Sequence, residues 1–131
     1  MNATLFAKSG AIVYVLWGLL HLKAAQMMVV LGQSLDAGAL QGRIFQHAWN
    51  LLFFAAFAIV IAVWMNWKNS RLGFWLNLAV ISAADVGFIL FVLIPGYVPM
   101  MPGALGPLLW IVALGLTTVA VIKSDRGEQV A

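Results

Sequence analysis

A few ionisable and amide side chains stand inside long apolar runs of this sequence, and they are its candidates for chemistry. Asp85 lies in the second half of the run from Arg71 to Ile94. A charge at membrane depth costs about 2.5–3.5 kcal/mol on insertion scales, so an intramembrane carboxylate is expected to have a partner or a function. The candidates to share a ligand-binding or proton-handling site with it are His21, Asn50, His47 and Lys23.

His21 and Asp85 form the pair with the clearest chemistry. His21 belongs to a stripe of residues at spacings of three and four, which is one face of a helix. Small residues in this stripe would let membrane helices approach closely, so we expect the stripe to face the bundle. The pair could hold or relay a proton, or orient a ligand's hydroxyl or carbonyl group. In the structural alternative, the two side chains satisfy each other and hold two helices together. The stripe contains Tyr14, Gly18, His21, Ala25 and Met28.

The other polar residues are expected around this pair. Depths counted at about 1.5 Å per helical residue place Asn50 and His47 between the pair and the outer surface. Lys23 has a depth similar to that of Asp85, but it leaves the helix on the side away from His21. It is therefore either the counter-ion of Asp85 or, as this direction favours, a side chain that extends to the outer headgroups.

Metal and cofactor sites find little support in the sequence. With no cysteine, the chain has no thiolate ligand and no iron–sulfur cluster. A haem between His21 and His47 would need both imidazoles at nearly one height, whereas their estimated depths differ by about 10 Å. The Glu-x-x-His pattern of di-iron bundles is also missing. We predict no metal and no resident cofactor, with haem and quinone as the alternatives.

The composition defines the class of protein. Hydrophobic residues make up 64% of the 131 residues and charged residues 8%, against about 25% charged in soluble domains. A soluble domain of this length could not cover so much apolar surface. The apolar runs are continuous, which favours membrane-spanning helices over barrel strands. The net charge of +3 rests on seven basic residues. Most of them flank the apolar runs, so nucleic acid is not an expected partner.

Four apolar runs predict one all-α domain over residues 1–131, with transmembrane helices at about 9–31, 44–65, 71–94 and 105–123. The first run is longer than the core of a signal peptide, so we predict a retained helix. Short connections favour an up-down-up-down bundle. Basic residues concentrate on the side of both termini, which predicts cytoplasmic termini in a bacterial inner membrane. Those residues are Lys8, Lys68, Arg71, Lys123 and Arg126, with Arg43 opposite.

The leading functional hypothesis is a polar site in the outer-leaflet half of the membrane. It would bind or move a lipophilic ligand with a polar head, such as a quinone or lipid, or it would handle protons. A second hypothesis is a non-catalytic accessory subunit that docks on other membrane proteins or on copies of itself. A third is a membrane-embedded enzyme that uses His/Asp acid–base catalysis on a lipid. The sequence leaves enzymatic activity open.

Overall fold

The computed structural model describes residues 2–130, with side chains through Asp125. This part of the chain is helical and contains no strand. A 3₁₀ turn, Asn66–Lys68, joins the second and third helices, and the third helix continues as a π-helix, Ile89–Leu93. The helices are α1 (Ala3–Gln33), α2 (Ala39–Trp64), α3 (Arg71–Phe88), the short α4 (Met100–Gly103) and α5 (Leu105–Val130).

Four of these helices in the described part of the chain are long and apolar enough to cross a membrane. The first two are longer than the predicted apolar runs. α1 begins at Ala3 because the Asn2 side chain accepts a hydrogen bond from the amide of Leu5, 3.0 Å away, and so caps the helix. α2 begins at Ala39, before the predicted helix start at about residue 44. The Asn2 cap thus accounts for the start of α1, whereas no side-chain hydrogen bond caps α2 at Gly38.

Small residues bring α1 close to α2 and α5. A Cβ atom built on Gly18 would lie 3.0 Å from the carbonyl oxygen of Ala55, and one built on Gly10 would lie 3.3 Å from that of Ala113. A larger residue at either glycine would also come within 2.6 Å of Thr117 or 2.5 Å of Ile59, so a neighbouring side chain would have to shift. The close approach agrees with the role of small residues in membrane helix packing. Other buried small residues on these helices are Ala7, Ala11, Ala25, Ala58, Ala62 and Ala120.

Large side chains fill the interior between the helices. Tyr14 and Trp17 of α1 and Ile81 of α3 are fully buried, and all three belong to one hydrophobic cluster. Asp85 lies one helical turn after Ile81, so its carboxylate borders this cluster and is itself 1% exposed. The fold thus places the one carboxylate of the apolar runs in the packed interior.

Candidate functional site

The Asp85 carboxylate is held by an indole. Trp17 donates a hydrogen bond from Nε1 to Oδ2 of Asp85 over 2.7 Å, and both side chains are buried. A buried indole N–H needs an acceptor and a buried carboxylate needs donors, so this bond satisfies one group on each helix. It joins α1 to α3. The second oxygen, Oδ1, accepts no hydrogen bond from the residues whose side chains are described.

His21 is fixed by the same tryptophan. Its Nδ1 lies 2.8 Å from the backbone oxygen of Trp17, and its ring stacks on the indole with centroids 3.6 Å apart. A carbonyl oxygen can only accept a hydrogen bond, so Nδ1 is the donor and carries the proton. In the neutral imidazole, Nε2 then has a free lone pair and acts as an acceptor.

Oδ1 of Asp85 and Nε2 of His21 both lie near Gly106, the second residue of α5. A Cβ atom built on this glycine would lie 3.6 Å from Oδ1 of Asp85 and 3.6 Å from Nε2 of His21. The two atoms are therefore no more than twice that distance apart. No hydrogen bond or ion pair joins these two side chains in the described structure. We call the site defined by Oδ1, Nε2 and the buried Gly106 the Gly106 gap.

The Gly106 gap is lined by two acceptors. An ionised carboxylate only accepts hydrogen bonds, and so does Nε2 of a neutral imidazole with its proton on Nδ1. Neither atom can satisfy the other without an added proton or a donor between them. The first turn of α5 adjoins the gap, and a helix N-terminus favours negative charge nearby. The two acceptors are complementary to a hydroxyl, a water molecule or a proton, whereas the helix N-terminus disfavours a cation such as an ammonium group.

The structure brings together two of the five predicted site residues. His21 and Asp85 share the gap, whereas Lys23, His47 and Asn50 are exposed. The Lys23 ammonium donates to the Gln26 side chain over 2.9 Å and makes no ion pair with Asp85 in residues 2–125. No hydrogen bond in that same range connects His47 or Asn50 to the gap.

Sequence reasoning missed Trp17 and Gly106. Trp17 precedes His21 by four residues and so lies one turn away on the same helix face. An indole N–H on an inward face needs a hydrogen-bond acceptor, so Trp17 could have been predicted to bond to a buried acceptor. Gly106 carried no such signal, because its role depends on how α5 packs against α1 and α3. A Cβ atom at this glycine would lie 3.1 Å from Cε1 of His21, so any side chain there would crowd the imidazole ring.

An apolar groove of about 360 Å³ runs between α1 and α2. Two of its α1 residues, Leu22 and Ala25, lie within one turn of His21, and Trp49 and Leu52 border it on α2. The His21 ring is half-buried, so part of it can be reached from the surface of the bundle. No group of three or more His, Cys, Asp or Glu side chains in the described part of the chain is arranged to bind a metal ion.

Four long apolar helices around a buried carboxylate indicate a multi-pass membrane protein. Comparison of the chain with protein-family models, curated proteins and solved structures finds no match in any of the three. The function must therefore be inferred from the chemistry of the Gly106 gap.

Proposed function

We propose that this protein binds a lipophilic molecule whose polar head donates hydrogen bonds into the Gly106 gap, as a quinol or a lipid hydroxyl would. The observation that carries the proposal is the pair of unmatched acceptors, Oδ1 of Asp85 and Nε2 of His21, at one buried glycine. In the proposed topology the helices cross a bacterial inner membrane up-down-up-down, with both termini in the cytoplasm and the gap in the outer-leaflet half.

The hydrogen-bond pattern supports a ligand over a purely structural pair. A structural pair would have His21 and Asp85 satisfy each other, but each is bonded to Trp17 instead. The Asp85 side chain is 1% exposed and His21 is half-buried, so a donor bound between them would recover part of the free energy that the missing hydrogen bonds cost. The apolar groove between α1 and α2, which includes Ala25 one turn from His21, is the candidate wall for a hydrocarbon tail.

The proposal predicts a preference for reduced over oxidised quinone. A quinol head has two hydroxyl donors, whereas the matching quinone has carbonyl acceptors that would face two acceptors in the gap. We expect the full-length protein in detergent micelles to bind a short-chain ubiquinol at least tenfold more tightly than the same ubiquinone, about 1.4 kcal/mol. Equilibrium dialysis under anaerobic conditions would measure both dissociation constants.

Asp85→Asn tests whether the gap causes that preference. The amide can still accept from Trp17, but it turns a donor toward the gap, so the preference for the quinol should fall or reverse. Asp36→Asn is the matched control, because Asp36 is an exposed residue between α1 and α2. Equal affinity of the wild-type protein for quinol and quinone, or an unchanged preference in Asp85→Asn, would contradict the proposal.

The same dialysis assay tests whether the ligand is a lipid with a hydroxyl head. A monoacylglycerol offers two hydroxyl donors on an apolar chain, and the corresponding fatty-acid methyl ester offers only acceptors. Binding of the monoacylglycerol but not of the quinol would assign the site to a lipid. An accessory subunit would instead co-purify with a larger membrane complex, and Asp85→Asn would leave its ligand content unchanged.

A further inference from the structure

A second polar pocket, of about 360 Å³, lies where the 3₁₀ turn and the start of α3 meet the last turns of α5 and the first turn of α1. It is separate from the Gly106 gap and shares no residue with it. Its polar lining consists of Thr4, Lys68, Asn69, Arg71, Ser124 and Asp125.

The pocket walls are tied together by side chains. Asn69 adopts a left-handed backbone conformation with φ 56°, which asparagine tolerates better than most residues. From this position its Nδ2 donates to Oγ of Ser124 over 2.6 Å. Arg71 makes an ion pair with Asp125 across the same junction. The turn is thereby fixed against α5, and the polar groups of the pocket are held in place.

The described side chains around the pocket carry more positive than negative charge. Lys68 and Arg71 line it together with one carboxylate, Asp125. Two further ammonium groups belong to the same end of the bundle. Lys8 lies 5.3 Å from the centre of the Trp67 ring, and Lys123 lies 5.7 Å from that of Phe6. Among the side chains described at this end of the bundle, two cations and one anion line the pocket and two further cations lie nearby.

We propose that this pocket binds the phosphate group of an anionic phospholipid. The Arg71 guanidinium has five N–H donors, and its pair with Asp125 leaves donors for a phosphate. Ser124 accepts from Asn69, so its own hydroxyl hydrogen is free to donate to a ligand. Basic pockets between transmembrane helices are known sites for anionic headgroups, and Val121 adds an apolar wall that a free phosphate would not need.

Native mass spectrometry of the delipidated full-length protein tests the proposal. Phosphatidylglycerol and phosphatidylcholine would be titrated separately, and we expect the anionic lipid to bind more tightly. Lys68→Gln should weaken phosphatidylglycerol binding about fivefold, the factor that corresponds to about 1 kcal/mol for each basic side chain near a membrane surface. Arg43→Gln is the control, because Arg43 is a basic residue outside the pocket whose side chain bonds to Gln46.

The outcomes separate the sources of the phosphate. Competition by glycerol 3-phosphate at lipid-like concentrations would assign the pocket to a soluble phosphate compound and overturn the lipid proposal. Equal binding of the two phospholipids, or an equal loss in Lys68→Gln and Arg43→Gln, would also overturn it. Since Lys68 is exposed, Lys68→Gln should fold even if an Arg71 variant does not.

Discussion

Gly106→Ala is expected to weaken quinol or monoacylglycerol binding at least tenfold while the protein stays folded. The added methyl group would lie 3.6 Å from both acceptor atoms and 3.1 Å from Cε1 of His21. It would thus occupy the α5 side of the gap, where a donor atom needs to come within about 3 Å of each acceptor. Because the substitution removes no polar group, weaker binding would show that the added methyl group occupies the place of the ligand.

Gly115→Ala is the matched control for this substitution. It lies in the same helix, and a Cβ atom there would meet nothing within 4 Å. Both variants gain the same methyl group, and their binding should be compared by the dialysis assay described above. Equal affinities in Gly106→Ala, Gly115→Ala and the wild-type protein would show that the ligand does not enter the gap.

Trp17→Phe is expected to lower the free energy of unfolding by about 2–3 kcal/mol. The change removes the donor to Oδ2 and leaves a buried carboxylate without a hydrogen bond from a described residue. Hydrogen bonds to charged groups contribute about 1.5–3 kcal/mol, and an unsatisfied buried partner adds to the loss. Unfolding by sodium dodecyl sulfate in mixed micelles would measure the difference.

Trp110→Phe controls for the loss of indole volume. Trp110 also donates from Nε1, but to the hydroxyl of Ser82 over 3.0 Å in a partly buried position, so its removal should cost about 1 kcal/mol. In an Asp85→Ala background the effect of Trp17→Phe should shrink, because the two residues are directly coupled. An unchanged effect there would mean that packing, and not the hydrogen bond, explains the loss.

The sequence indicated that His21 and Asp85 lie close together, but it did not indicate which hydrogen bonds they make. Asp85 was recognisable as a carboxylate inside an apolar run, and His21 by its place on a stripe with small residues. Both adjoin the same gap. Their bonding could not be predicted, because helical periodicity assigns a face but does not say which of two neighbouring residues reaches across. The side chain of Trp17 is longer than that of His21, and its indole N–H donates to Oδ2 of Asp85.

The surrounding residues were harder to place. Depth estimates grouped His47 and Asn50 with the pair, but the exposure of a residue depends on the rotation of its helix. The part of α2 that follows Asn50 is apolar on all sides, so its sequence gives little guidance about that rotation. The buried face of α2 is marked by Ala48, Ala55, Ala58 and Ala62. Alanine spacing would have been a better guide there than polarity.

The protonation state of His21 is the most direct test of the proposed ligand site. His47→Gln would leave His21 as the single histidine, so nitrogen-15 labelling of histidine and solid-state NMR in lipid bilayers would report on its ring alone. At alkaline pH, where the imidazole is neutral, we predict that the proton is on Nδ1 and that the Nε2 signal shifts when ubiquinol or a monoacylglycerol is added. A proton on Nε2 in the ligand-free protein would rule out the proposed pair of acceptors, because the gap would then already contain a donor.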